Sequence, residues 1–114
     1  MVLAVSDFEG TQLKKSGVNP VLFAASWCPF CAMFRPSFES ALRKRGIEYD
    51  IVDLSDLENP LWESFEIDVV PTVILFNDGV PVMRRDGLSG RGLSKDVIQE
   101  VIGEIEALTS TSAR

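Results

Sequence analysis

Along the chain, short unbroken apolar runs alternate with longer stretches in which apolar residues recur every three or four positions, the pattern of an α/β domain with a partly parallel sheet. Val21-Leu22-Phe23-Ala24-Ala25, introduced by Asn19-Pro20, has the length and composition of a strand covered on both faces, and it predicts a central strand. Behind it Phe30, Phe34, Phe38, Ala41 and Leu42 fall at helical spacing. They predict a helix over 29–45, stopped by Gly46 and kinked where Pro36 removes an N–H. Ile47, Tyr49, Ile51 and Val52 predict a second strand over 47–54, and Asn59-Pro60 reads as a cap and first turn for a short helix carrying Leu61, Trp62 and Phe65. Thr72-Val73-Ile74-Leu75-Phe76 predicts a third strand, turned by Asn77-Asp78-Gly79 into a hairpin partner over 80–85. Leu93, Val97, Ile98, Val101, Ile102, Ile105 and Leu108 form one stripe, hence a last helix over 94–108, slightly weakened by Gly103.

The ends are less regular. Residues 2–5 predict a short edge strand, and 6–15 a short helix with Gly17 as its left-handed cap. The polar stretch 109–114 has nothing to bury and is expected to be a disordered tail. A chain of 114 residues with 46% hydrophobic content supports one core, so 1–114 is read as a single domain.

A net charge of -6, with the eleven basic residues scattered, argues against a nucleic-acid partner, because phosphate binding needs clustered Lys and Arg. The one basic run, Arg43-Lys44-Arg45, sits where a helix C-terminus favours positive charge. No apolar stretch approaches the roughly 18 residues of a membrane span, and the first ten residues lack the basic and long apolar regions of a signal peptide. A cytoplasmic protein is the default. Thiols are kept reduced there, so two cysteines three apart are expected to be catalytic or metal-binding rather than a staple.

Cys28-Pro29-Phe30-Cys31 falls where the buried strand ends and the long helix begins. Free N–H groups and the positive end of the helix dipole favour an anion at that position, so a thiolate at Cys28 is favoured. Pro29 fits an early helical position without wasting a donor. By position Cys28 is the exposed attacking nucleophile and Cys31, one turn deeper, the resolving thiol. The four-residue pattern alone fits zinc as well as redox chemistry. The ligand count then disfavours a metal, since the chain has no further Cys and no His.

These residues resemble the thioredoxin family across nearly the whole chain. Ala25-Ser26-Trp27-Cys28-Pro29-Phe30-Cys31 is similar to the family's strand end, tryptophan and redox motif. Pro36 falls at its helix proline, Val70-Pro71-Thr72 at its cis-proline segment, and Gly79 and Gly87 at two of its glycines. The resemblance implies a thioredoxin fold, an α/β arrangement with a central mixed sheet of four to five strands flanked by helices on both faces. It implies that Trp27, Val70 and Pro71 form the substrate-binding surface, Val70 offering its backbone and Pro71 being cis. It implies a monomeric thiol-disulfide oxidoreductase that reduces disulfide-containing protein substrates, needs no cofactor beyond the Cys28/Cys31 pair, and is recharged by a separate thioredoxin-reductase-like electron donor.

The sequence also departs from the family. Pro29-Phe30 replaces the usual Gly-Pro, and Phe30 restores a backbone N–H that can point toward Cys28, so the two residues are expected to tune the reduction potential upward. Leu22 stands where thioredoxins carry a buried acid thought to take the proton of the resolving cysteine, which leaves that proton without an assigned acceptor. Arg84-Arg85-Asp86-Gly87 replaces the Gly-Gly and acidic segment with which glutaredoxins hold glutathione. The rival readings are a glutaredoxin-like protein or disulfide oxidase or isomerase of less reducing potential, and a non-catalytic binding module, against which the retention of both cysteines speaks. For Trp27 and Phe30 the bland alternative is ordinary core packing.

Overall fold

The run around Val21 does become the middle of a sheet. In the computed structural model, which describes residues 1–112, β4 (Val18–Ala24) lies between β5 (Asp50–Asp53), parallel to it, and β6 (Thr72–Asn77), antiparallel. β1 (Val2–Leu3) runs parallel beside β5, and β7 (Val80–Asp86) pairs antiparallel with β6, giving a five-stranded mixed sheet in the order β1-β5-β4-β6-β7. Val21, Leu22 and Phe23 are fully buried, as strands covered on both faces require. Pro20 is tolerated because β5 pairs with β4 only from Val21 onward, so no neighbour asks for the missing N–H. Asp78 and Gly79 carry the two positive φ values that a tight two-residue hairpin turn demands.

Alternation along β4 sends Phe23 and Leu22 to opposite faces. On the Phe23 face an aromatic cluster forms with Phe8, Phe65 and Phe76, ring centroids 5.3 to 6.4 Å apart. Phe65 caps the short helix α2 (Leu61–Ser64), whose start is held by the Asn59 Oδ1 accepting from Leu61 N at 2.9 Å. The other face is covered by α1 (Pro29–Lys44) and α3 (Asp96–Ser112), which pack against each other, α3 also reaching β4. α1 buries Cys31, Phe34, Phe38 and Leu42 and ends as anticipated, with Arg43 and Lys44 in its last turn. Gly46 follows at φ 67°, its N–H bonding Arg43 O while Ile47 N bonds Leu42 O.

Two expectations change. Residues 6–15 do not form a helix: a 3₁₀ turn at Val5–Asp7 leads into a small hairpin of β2 (Phe8–Glu9) and β3 (Gln12–Leu13). The buried pair Phe8 and Leu13 explains it, because residues five apart point to different sides of a helix but face each other across a two-residue turn. The hairpin docks on the β6–β7 turn through Leu13 N to Gly79 O at 2.9 Å, so close that a Cβ on Gly79 would lie 2.5 Å from Leu13 O. At the other end, Thr109 continues α3 rather than starting a disordered tail. Its Oγ1 donates to the Ile105 carbonyl at 2.9 Å, giving the hydroxyl a partner inside the helix. The rest of that stretch, 113–114, lies outside the described residues.

Candidate active site

Cys28 leaves β4 through Ala25, Ser26 and Trp27 and becomes the N-cap of α1, with extended backbone (φ -95°, ψ 111°) and Pro29 in the first helical position. Its sulfur takes the place of a capping oxygen: Cys31 N donates to Cys28 Sγ at 3.1 Å, and the Cys28 thiol donates to Val70 O at 3.5 Å. An N–H aimed at a sulfur at the positive end of a helix stabilises negative charge there. Cys31 differs. Burial above all, then its hydrogen bond with Cys28, pushes the Cys31 thiol up to about 12, so it holds its proton while Cys28 is free. Both cysteines are free thiols.

On one side of Cys28 lies a groove of about 270 Å³ lined by Trp27, Pro29, Phe30, Trp62, Val70 and Leu88 among others. Trp27 is 54% exposed and stacks on Trp62, with ring centroids 6.3 Å apart and planes 8° from parallel. Both indole N–H groups are anchored to the loop after β5, Trp27 Nε1 to Ser55 O at 2.9 Å and Trp62 Nε1 to Asp56 O at 3.2 Å. The far wall is the Val70-Pro71 segment, with a cis peptide bond. It is held by Thr72 Oγ1 to Val69 O at 2.8 Å and by Gly87 N to Pro71 O at 2.9 Å, and a Cβ on Gly87 would lie 2.6 Å from that oxygen. Phe30 rests on the loop after β7, where Leu88 and Gly92 bridge, and a Cβ on Gly92 would come within 2.6 Å of Phe30 Cβ.

On the other side Cys28 and Cys31 line a second cleft of about 240 Å³, with Val2, Ala24, Ile51, Arg35 and Asp53. Asp53 closes β5, where its Oδ1 accepts from Ser55 N at 2.9 Å and from the Ser55 hydroxyl; the hydroxyl bond, then the backbone one, holds this carboxyl below its ordinary range. Ser55 Oγ in turn accepts from Ser26 N at 2.7 Å, which ties the end of β5 to the turn two residues before Cys28. Arg35 lies one turn beyond Cys31 on α1 and reaches Glu39 with Nε to Oε1 at 3.4 Å.

The family model for thioredoxin matches residues 1–103. The chain belongs to the thioredoxin family. The thioredoxin of Staphylococcus saprophyticus is 33% identical over 100 residues, covering 87% of this chain and 96% of that one. The thioredoxin of Staphylococcus haemolyticus is 37% identical over 82 residues, 71% and 79% of the two chains. Among solved structures, Chlamydomonas reinhardtii thioredoxin f2 superposes with a TM-score of 0.73 at 19% identity, covering 91% of this chain and 94% of that one, a likeness of fold. As a member of this family the protein is a thiol-disulfide oxidoreductase with protein-disulfide reductase activity, and the fold read from the sequence is the one found.

Set on this thioredoxin frame, the anticipated site residues come together: Trp27, Cys28, Pro29, Phe30 and Val70 share one groove, with Pro71 directly behind Val70. Two details differ from expectation. Cys28 and Cys31 are 5% and 3% exposed, so exposure does not separate them; their hydrogen bonds and the Cys31 proton do. The donor to Cys28 Sγ is the N–H of Cys31, not of Phe30, because the capping sulfur meets the third amide of the helix, which exists whatever residue stands at 30. Trp62, Ser55, Asp53, Arg35 and Gly92 were not foreseen in the site. For Arg35 the sequence held a signal, its i+4 spacing from Cys31; for the others the contacts arise between distant segments. Among the described residues no cluster of three or more His, Cys, Asp or Glu is placed to hold a metal, and no helix is long and apolar enough to cross a membrane.

Proposed function

We propose that Cys28 is the attacking sulfur and Cys31 the resolving one, in the reduction of protein disulfides docked in the groove between Trp27 and Val70-Pro71. The observation that carries this is the Cys31 N–H held 3.1 Å from Cys28 Sγ at the cap of α1. Cys28 thiolate attacks one sulfur of the substrate disulfide; a Cys28–substrate S–S bond forms, the substrate bond breaks, and its second sulfur leaves and takes up a proton. Cys31 then loses its proton and attacks the Cys28 sulfur. The Cys28–Cys31 bond forms, the mixed disulfide breaks, and the product leaves as a dithiol, two electrons having passed from the protein to the substrate.

Val70, whose carbonyl already meets Cys28, is the backbone on which an extended substrate strand pairs, beside Pro71, with Trp27 as the apolar floor. Pro29 and Phe30 tune the potential, supported by the place of Pro29 at the helix start and of Phe30 against Gly92. The protein acts as a monomer in the cytoplasm, without an added cofactor. Since it ends each cycle oxidised, a separate thioredoxin-reductase-like donor returns the electrons.

The test uses insulin reduction with dithiothreitol and two variants. Cys28→Ser and Cys31→Ser both fall to the rate of dithiothreitol alone, but once the protein has been reduced and freed of dithiothreitol only Cys31→Ser accumulates mixed disulfides with insulin, and iodoacetamide near neutral pH labels Cys28 first. Trapping by Cys28→Ser instead would reverse the roles.

A further inference from the structure

Resolution requires Cys31 to ionise, and at that moment Cys28 is in a neutral mixed disulfide. The sheet beneath offers nothing to help, since Leu22 is apolar and 0% exposed. The charged groups that line the cleft with Cys31 come from two elements, Arg35 from α1 and Asp53 from β5; Glu39 stands behind Arg35, and β1 and β4 contribute only apolar or uncharged residues. Cys31 and Arg35 are four apart on one helix, so their Cβ atoms lie about 5–6 Å apart on the same face. Asp53 is a poor base, because both of its Ser55 bonds favour the ionised form.

Resting on the assignment of Cys31 as the resolving thiol, we propose that Arg35 is a positioning residue for the resolving step, its guanidinium holding negative charge at Cys31 Sγ through the shared cleft while Asp53 opposes it. The proton of Cys31 leaves to solvent through the cleft mouth, where the Arg35 side chain is 45% exposed. The two charges therefore act on one rate with opposite signs. A group that merely props the cleft open cannot produce that pattern.

The measurement is stopped-flow reaction of the reduced protein with dithiodipyridine, an uncharged disulfide whose docking does not depend on Arg35. Cys28 attacks and one thiopyridone leaves; Cys31 then displaces the second, so the second phase isolates resolution. In Arg35→Gln the second phase is expected to slow by about three- to tenfold at neutral pH, its pH profile moving up by about half to one pH unit, as removal of a partly screened cation gives. Arg35→Lys restores most of the rate, Asp53→Asn quickens the second phase, and high salt shrinks both effects. An unchanged second phase in Arg35→Gln, or slowing in both Arg35→Gln and Asp53→Asn, overturns the proposal. Failure of the wild type to release a second equivalent would instead overturn the assignment of Cys31 on which it rests.

Discussion

The two sides of the dithiol are built from different materials. The groove side is made of aromatic faces and backbone: Trp27 on Trp62, Phe30 on Gly92, and the carbonyl of Val70 turned toward Cys28. The cleft side carries charge on side chains, Arg35 and Asp53, over an apolar floor. Cys28 lines both, whereas Cys31 lines the cleft. The difference teaches a division of labour. On the function proposed above, the groove takes up extended chains through shape and main-chain hydrogen bonds, while the step that moves a proton uses a local field.

The largest effect expected from breaking this division comes from putting an acid under the cleft. Leu22→Asp places an unpaired carboxyl at a fully buried position, and urea denaturation at neutral pH should show a loss of about 3 kcal/mol or more. The new group has a folded pKa above its unfolded value, so the loss should grow as pH rises from about 4 toward neutrality and fade below it. A loss independent of pH would mean that the site is not dry. A second variant disturbs the groove side alone. Gly92→Ala puts a Cβ 2.6 Å from Phe30 at a φ of 68°, and is expected to cost about 2 kcal/mol while leaving the thiopyridone second phase nearly unchanged. A slowed second phase would show that the two sides are coupled through Phe30.

The smallest effect is silent at neutral pH. The thiol of Cys31 is raised from 9.0 to about 12, so the native state keeps a proton that the unfolded chain gives up. Below about pH 9 that contribution is fully present, and it drains away as pH climbs through the folded value near 12. Reduced wild type should therefore lose stability above pH 9 more steeply than reduced Cys31→Ser, by denaturant midpoints across that range. Parallel curves would remove the burial on which the cleft argument draws.

Much of this could be read from the chain. The runs at Val21 and Thr72, the stripe from Phe30 to Leu42 and the Asn77-Asp78-Gly79 turn give their elements because each depends on residues close in sequence. The placement of Cys28 and Cys31 at a helix start was legible for the same reason, a cap and a first turn being local. What escaped was set by pairing at a distance. Phe8 and Leu13 carry no strand-like run and form a hairpin only because Gly79 and the Phe23 face receive them. Asp53 meets the active-site turn only through the β4–β5 register, which places it opposite Ala24. Gly92 touches Phe30 across more than half the chain, and a glycine in a polar loop gives no sign of what presses against its missing side chain.

The stacking of Trp27 on Trp62 has an optical consequence. These are the two tryptophans of the chain, so indole emission reports on one corner of the molecule, next to the sulfurs. Fluorescence-detected unfolding would record the loosening of that corner and would be blind to the far ends of α1 and α3. Circular dichroism averages over the backbone. Only if the two signals change together does a single transition describe the whole domain; an earlier fluorescence change would mean that the redox corner opens while the sheet behind it still stands.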